Sequence, residues 1–537
     1  MQYLISGGRI FTADPVQPWA EAVLIDGSEL TCVGSLEQAM PLVNQDCMRI
    51  DGSHGLVVPG FVDGHVHIKM TGDAMLKAQL QDAGSLEVIR RRLLEWSDKN
   101  PDAPRILGTN WVHGDIPDAQ PHRDMLDDLF PETPVYLEAF DLHSSWLNSA
   151  ALDELGINDE TPDPVGGRIV RDPHTGVATG HLQENASVNY VWKLLGDVTD
   201  PVRNQQMLTA VEAFVRAGIT SVVEMALEPV AVDSLLRLKS RGHLPIRVVG
   251  HMIIWRNGDA EDKLRQVRKA RVLADQYQGD GLRITGIKII SDGTIDACTA
   301  ALSKPYTNGG VSGPIWEPEA LDPVVELADS LNLQVAIHAI GDEAIHNAVN
   351  AIERTMSINQ TQARRHRIEH LEYAQTRDID RMGRLGITAS MQPVHVNPAY
   401  LENWKRLLGP ERANQGWAWP LYQQAGSTLA FGTDTPTAPY LALINMYLAS
   451  TRKSPDHDEV PAIRPDWALP LEQAIASGTR ESAWAAWLDH ATGQLKTGLK
   501  ADLVCLDCDV LEKGPHRLVN TNVVLTMIDG RVAWTNL

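Results

Sequence analysis

The stretch VPGFVDGHVH, Val58 to His67, ends an apolar run with two histidines one residue apart. Successive side chains of a strand face opposite ways, so His65 and His67 point to the same side. Two imidazoles on one side can bind a single metal ion. An HxH pair is a weak signal by itself, and its meaning depends on what the rest of the chain brings near it.

Seven further apolar runs follow the opening stretch, and helical patterns separate them. The eight runs are FVDGHVH, TSVVEM, IRVVGHM, GIKIISDG, QVAIHAI, RIEHLE, ITASMQP and TLAFGTDTP. Strands that alternate with helices are typical of a parallel sheet. Eight of them predict an α/β fold, a closed (β/α)8 TIM barrel that spans residues 60–484.

The interval after the first strand is too long for a barrel connection, because a whole barrel usually needs only ~250 residues. We therefore predict that residues 68–200 form a lid-like insertion after strand one. The insertion contains a predicted helix that begins at Ser85 and a strand-like segment, PVYLEAF. Insertions at this end of a barrel tend to cover the active site.

The two ends of the chain share one sequence pattern, in which short predicted strands alternate with tight turns. DG pairs, which suit two-residue hairpin turns, occur at Asp26 and Gly27 and again at Asp529 and Gly530. This similarity predicts one small β domain built from both termini, at residues 1–59 and 485–537.

Composition limits the classes of partner. The formal net charge of -22 argues against nucleic acid and anionic membrane surfaces, which need clustered Lys or Arg. The amino terminus lacks the pattern of a signal peptide, and no run of ~18 apolar residues occurs. We expect a cytoplasmic protein that acts on a small-molecule substrate, with no nucleic acid or membrane partner.

Side chains that can bind metal stand at the ends of the predicted strands, where barrel enzymes keep their chemistry. They are His65, His67, Lys288, His338, His370 and Asp434. Each alone could be a buried packing residue, but one metal site explains all six. Four imidazoles and a carboxylate at one mouth predict a site for zinc or a similar divalent ion.

Several motifs make the chain resemble the amidohydrolase superfamily, and in detail its YtcJ-like branch (amidohydrolase family 3), which includes the N-substituted formamide deformylases. The motifs are VPGFVDGHVH, HSSWLNSAAL, PVGGRIVRD, GITSVVEM, IKIISDG, HAIGDEAI, RIEHLEY, FGTDTP and LKTGLKADLVCLD. The resemblance implies that the terminal β domain is the family's split β-sandwich. It also implies one or two metal ions per chain and makes a homodimer unsurprising.

The resemblance further implies a role for each ligand. His65, His67 and Asp434 would hold one metal, and His338 and His370 would hold the other. Lys288 matches the lysine that is carbamylated to bridge the two metals. A protonated lysine would repel a cation, so this position makes physical sense only if its charge is removed or reversed.

The residues that contact the substrate are harder to predict from the sequence than the metal ligands. The family's lid would place Trp111, His143 and Trp146 of the insertion toward the metals, where aromatic walls and a histidine donor suit a modest apolar amide. Simple packing is the alternative for both tryptophans. The chain departs from the family at Leu142, where glycine is common, and at Asp296 and Cys298, where an arginine-ended run is usual.

The chain is predicted to be a hydrolase that cleaves a non-peptide carbon–nitrogen bond, with an N-acyl or N-formyl amide as substrate. Metal-activated hydroxide would attack the carbonyl, and Asp434 would act as the catalytic proton shuttle. The sequence contains no GxSxG, HExxH, P-loop or GxGxxG motif. Two alternatives stay open: a deaminase of an aminated heterocycle, and a metal-binding regulatory barrel without catalysis.

Overall fold

The computed structural model describes residues 1–53, 55–140, 144–164, 167–361 and 363–536, with side chains for all of these except residue 400. The chain divides into two compact units. The first contains Met1–Ile68 and Val211–Leu537, and the second contains Lys69–Ala210. The stretch predicted as an insertion lies almost entirely in the second unit.

Eight parallel strands of the first unit form the barrel, and each lies beside the next in chain order. Every predicted apolar run overlaps one of them, so the TIM barrel prediction is confirmed. A short strand, Gln278–Gly279, pairs antiparallel with the fourth. The barrel strands are Phe61–Val66, Ile219–Leu227, Arg247–Ile253, Leu282–Ile290, Gln334–Ala339, Arg367–His370, Thr388–Met391 and Leu429–Phe431.

The seam between the last and first barrel strands positions the site. The barrel closes here through backbone hydrogen bonds between residues just beyond strand eight and residues at the end of strand one. The Asp434 amide donates to the His65 carbonyl at 2.7 Å, and the His67 amide donates to the Thr435 carbonyl at 3.1 Å. These bonds place the HxH pair and Asp434 side by side at the carboxyl end of the barrel.

Helices connect the strands, and their apolar faces explain their packing. In Asp342–Ile358, the residues Ile345, Val349 and Ile352 recur at helical spacing and are fully buried. The α- and π-helices of the first unit, with the helix Asp200–Arg216 that spans its boundary, are Leu36–Ala39, Asp200–Arg216, Pro229–Ser240, Ala260–Gln276, Pro318–Ser330, Asp342–Ile358, Thr376–Leu385, Glu402–Leu408, Pro410–Ala413, Trp419–Ala425, Ala442–Thr451, Leu471–Ala476, the π-helical Ser477–Glu481, Ser482–Ala485 and Val510–Lys513.

Both chain ends contribute strands to one eight-stranded sheet in the first unit. Leu56–Pro59 pairs antiparallel with Leu503–Leu506, which joins the two ends. Asp529 and Gly530 form a hairpin turn with φ of 49° and 68°, as a primed two-residue turn requires. The strands are Gln2–Phe11, Trp19–Asp26, Glu29–Gly34, Met48–Asp51, Leu56–Pro59, Leu503–Leu506, Val523–Ile528 and Arg531–Thr535.

The second unit contains a six-stranded sheet with its own core. The Ser85 hydroxyl accepts the Val88 amide and caps the helix Leu86–Lys99, which buries Ile89 and Leu93. The strands, in sheet order, are Gly167–Arg171, Ala178–Glu184, Ser144–Leu147, Val135–Ala139, Ile106–Trp111 and Ala78–Gln79. The remaining α- and π-helices are Ile68–Leu76, Asp124–Asp127, Ser149–Leu155, the π-helical Ser187–Trp192 and Lys193–Gly196.

Over the described ranges, the chain has no helix with both the length and the apolar composition needed to cross a lipid bilayer.

Candidate metal centre

Three of the predicted ligands form a compact, buried cluster. One ligand atom from each of His65, His370 and Asp434 lies within 4.8 Å of the others. The Asp434 carboxylate is central, because Oδ1 lies 3.3 Å from His65 Nε2 and Oδ2 lies 3.9 Å from His370 Nδ1. Two imidazoles and a carboxylate at this spacing match the donor set of a divalent cation.

The backbone turns sharply at two of these ligands. His370 has φ of 73° and Asp434 has φ of 57°, both in the left-handed region. This region is uncommon for residues other than glycine, although Asp and His enter it more readily than most. Such conformations are concentrated at functional sites, where the surrounding structure maintains them. One turn ends strand six and the other lies just beyond strand eight, and together they place two ligand side chains beside each other.

His67 and Lys288 flank the cluster. His67 Nε2 lies 3.2 Å from Asp434 Oδ1, and its Nδ1 lies 3.8 Å from Glu224 Oε1. Lys288 Nζ lies 3.4 Å from His65 Nε2, and the lysine is only 2% exposed. Both therefore lie within reach of the three-residue cluster.

His338 lies beside the cluster with a different set of contacts. Its ring centroid is 4.4 Å from that of His370. Its Nε2 atom lies 3.3 Å from the carbonyl oxygen of Gly293 and 3.4 Å from Asp292 Oδ1. The structure thus brings His338 next to a ligand while its Nε2 contacts the loop after strand four.

One unpaired nitrogen tests whether a cation fits this arrangement. Within the described part of the chain, His370 Nδ1 is buried and has no hydrogen-bond partner. A buried nitrogen without a partner is costly, and a metal ion would satisfy it. The donor types and this free nitrogen together fit a divalent cation.

The cluster is electrostatically prepared for a cation. Burial raises the pKa of Asp434, but the hydrogen bond from His67 and the interactions with the surrounding imidazoles outweigh burial and hold this pKa well below its usual range. Burial and the nearby Lys288 lower the pKa of His65 to about 4. Burial and the nearby His338 also lower the pKa of His370. The core of the site therefore has a carboxylate and neutral imidazoles, which are the ligand forms that metals need.

The pKa values of the two flanking residues, His67 and Lys288, are also shifted. Burial disfavours the charged form of His67, yet hydrogen bonds to Asp434 and Glu224 raise its pKa to about 9. A proton and a metal ion will therefore compete for this imidazole. Burial lowers the pKa of Lys288 to about 8, although Glu369 and Asp434 partly offset the effect. A neutral amine is thus accessible near physiological pH.

The sequence analysis missed a buried ion pair that holds His65. Glu369 Oε2 lies 2.8 Å from His65 Nδ1, and Arg367 Nε donates to Glu369 Oε1 at 2.6 Å. A carboxylate on the distal nitrogen of a ligand histidine fixes its tautomer and orientation. The alternation of charged residues in RIEH is the signal that could have revealed this pair.

A further histidine at the mouth was also missed. His395 follows strand seven, and its Nε2 lies 3.9 Å from Asp434 Oδ2. Its Nδ1 lies 3.5 Å from the buried Glu372 Oε1. A histidine just after an apolar run, in QPVHV, is the same signal that identified the metal ligands.

The structure places the predicted substrate tryptophans in the core of the second unit. Trp111 and Trp146 are fully buried, with ring centroids 5.9 Å apart. Their indole N–H groups donate to the carbonyls of Leu137 at 3.0 Å and His122 at 3.1 Å. A role in substrate binding stays a prediction for both, and His143 lies outside the described residues.

Comparisons with known proteins agree with this geometry. The amidohydrolase family model matches residues 50–533. The YtcJ amidohydrolase candidate of Bacillus subtilis (strain 168) is 28% identical over 99% of each chain. The N-substituted formamide deformylase of Arthrobacter pascens is 24% identical over 98% of this chain and 97% of its own.

A solved structure is also similar. The crystal structure of an uncharacterized metal-dependent hydrolase from Pyrococcus horikoshii OT3 superposes with a TM-score of 0.78 at 25% identity. The match covers 95% of this chain and 98% of the other. The resemblance to the YtcJ-like branch that the motifs predicted is confirmed.

Proposed function

Because this chain belongs to the amidohydrolase family and is a metal-dependent hydrolase acting on carbon–nitrogen bonds, we propose that its substrate is an N-acyl or N-formyl amide other than a peptide. The observation that carries the proposal is the buried cluster of His65, His370 and Asp434, with the unpaired His370 nitrogen. The formamide deformylase relative supports an amide as the substrate class.

The six predicted residues would hold the metal, which we take to be zinc. His65, His67 and Asp434 would bind one ion, and His338 and His370 a second where two are present. When bound, a divalent cation polarises a carbonyl and makes water nucleophilic near neutral pH. Four imidazoles and a carboxylate, with one imidazole nitrogen unpaired, support this set.

Asp434 would move the proton. Its low pKa makes it a carboxylate at neutral pH, able to accept a proton from the attacking water. The same oxygen can then deliver that proton to the departing nitrogen. The carboxylate lies between His67 and His370, at the carboxyl end of the barrel. One residue can thereby serve both proton transfers.

Lys288 would carry a carbamate. Carbamylation needs a neutral amine, and a pKa of about 8 leaves about a quarter of the amine neutral at pH 7.5. An ordinary lysine would offer only about a thousandth. A carbamate would also replace a cation with an anion beside His65, from which Nζ is 3.4 Å away.

We further propose that the terminal strands form the split β-sandwich of residues 1–59 and 485–537. Their shared core supports this. It combines Ile5 and Val23 from the first end of the chain with Leu503, Leu525 and Met527 from the other.

A substrate panel tests the proposed function. Zinc-loaded protein is incubated with N-formyl and N-acetyl amines, carbamates, lactams and aminoheterocycles, and the released acid, amine and ammonia are measured. Release of an acid and an amine, abolished in His370→Ala and retained in the control His490→Ala at an exposed histidine, is the expected result. Ammonia without an organic acid would identify a deaminase. No turnover despite a filled site would identify a binding barrel.

A further inference from the structure

Gln392 carries a buried carboxamide whose two polar atoms have no visible role in the fold. The residue is 1% exposed and directly follows barrel strand seven, Thr388–Met391. Over the described residues, neither its Oε1 nor its Nε2 has a hydrogen-bond partner. Leaving such a group unpaired destabilises a protein, so a buried glutamine of this kind calls for a functional explanation.

The strand alternation directs this side chain into the barrel. Ser390 faces the interior, where its hydroxyl accepts a hydrogen bond from the fully buried Arg367 at 2.5 Å. Gln392 is two residues later, with extended backbone at φ of -119° and ψ of 89°. It therefore faces the same side, about 7 Å nearer the carboxyl end of the barrel.

The neighbouring strands place Gln392 at the level of the metal ligands. On one side, Ser390 is paired with Glu369, so the residues after Ser390 lie beside His370. On the other side, the Gly432 amide donates to the Met391 carbonyl at 3.1 Å, two residues before Asp434. Gln392 thus lies between the two strand ends that supply His370 and Asp434.

The backbone around Gln392 is held rigidly. Buried Asn445 accepts the Val394 amide at 2.9 Å and donates to the Gly432 carbonyl at 3.0 Å. The Gln392 carbonyl itself accepts the His395 amide at 3.0 Å. A side chain on such an anchored turn loses little freedom when it binds a ligand, which is how substrate-orienting groups are built.

We infer that the Gln392 carboxamide binds the substrate amide, with Oε1 accepting the N–H of the scissile bond. This inference rests on the proposed amide hydrolysis. In a trans secondary amide the carbonyl oxygen and the N–H point in opposite directions. Asp434 delivers its proton to the departing nitrogen, so the carbonyl oxygen faces the imidazoles of the cluster and the N–H faces the end of strand eight, beside Gln392. The site therefore selects N-monosubstituted amides over N,N-disubstituted amides and esters, which lack that hydrogen.

The test compares two formamides that differ in this hydrogen. The kcat/KM for N-butylformamide is divided by that for N-butyl-N-methylformamide in the wild type, in Gln392→Met and in Gln473→Met. Methionine matches glutamine in volume without its polar atoms. Gln473 is the control, because its side-chain amide donates to the Ser477 hydroxyl at 3.3 Å and so already has a partner in the fold. We expect the ratio to fall about three- to tenfold in Gln392→Met, as for one lost hydrogen bond, and to stay unchanged in the control.

Stability and metal content separate this role from a structural one. Replacing an unpaired buried carboxamide with methionine should leave Tm unchanged or raise it, with the same zinc content. A structural role would instead lower Tm and reduce activity on both formamides equally, which would overturn the inference. If Gln392→Met does not fold, Gln392→Asn, which withdraws the carboxamide by one methylene, undergoes the same comparison.

Failure of the proposed function has a different signature. If the wild type hydrolyses neither formamide, hydrolysis of this substrate class is wrong, and binding of the two compounds is measured by calorimetry. A preference for N-butylformamide that disappears in Gln392→Met would still support the role of Gln392. Equal binding of both compounds, or binding of neither, would overturn it.

Discussion

Glu369→Gln removes one charge from the buried pair that holds His65. Glu369 and Arg367 are both fully buried, and their side chains make two contacts, of 2.6 Å and 3.1 Å. Glu369 also faces His65 Nδ1 at 2.8 Å. A glutamine can still accept a hydrogen bond from His65, but it leaves the Arg367 guanidinium without its counter-charge.

The size of the effect follows from this burial. Removing one partner of a buried ion pair typically costs about 3–5 kcal/mol, because the other charge stays unpaired. Loss of a carboxylate behind a metal-binding histidine typically lowers metal affinity about 10- to 100-fold. We expect both effects in Glu369→Gln.

Denaturant unfolding gives the change in stability, and competition with a zinc chelator gives the change in affinity. Asp489→Asn is the matched control. Asp489 pairs with Arg365 at 2.7 Å, but its side chain is 39% exposed. An exposed pair contributes only about 0–1 kcal/mol, so the control should lose little stability and no zinc affinity.

A double variant separates charge burial from positioning. Adding Arg367→Met to Glu369→Gln removes the unpaired charge and should recover most of the lost stability. Zinc affinity should stay low, since the carboxylate behind His65 is still missing. A Glu369→Gln protein within 1 kcal/mol of wild-type stability and within threefold of its zinc affinity would refute this reasoning.

Three other substitutions or conditions test the centre. Asp434→Asn should keep the fold and lose about 10²- to 10⁴-fold in kcat, the usual contribution of a general acid–base group; near-normal kinetics would exclude the proton shuttle. Lys288→Ala should lose metal and regain some activity with added acetate, and unchanged metal content would make the lysine merely structural. Zinc affinity should rise about tenfold per pH unit below pH 9, because zinc must displace the proton of His67, whose pKa is about 9. The slope should flatten in His67→Ala, and an equal slope in both proteins would contradict this competition.

The barrel could be predicted because its buried strands are continuous apolar runs with reactive residues at one end. In a parallel barrel all strands end at the same mouth, so His65, His370 and Asp434 needed no spatial information to be grouped. For these three ligands, the residue type at the end of each strand was sufficient for the prediction.

The supporting residues could not be predicted in the same way. Arg367 and Glu369 are two residues apart on a four-residue strand, and only the barrel closure brings Glu369 to His65. Gln392 is an ordinary residue type, whose unpaired state is visible only in three dimensions. Trp111 shows the converse problem, because a core tryptophan and a substrate-facing one look identical in sequence.

The most direct test of the metal centre is the zinc content per chain. Elemental analysis is made on protein purified without added metal or chelator, for the wild type and for the His65→Ala, His67→Ala double variant. The account predicts one or two equivalents of zinc in the wild type and none in the variant. A wild-type protein that stays empty after reconstitution with zinc, or a variant that retains its metal, would contradict it.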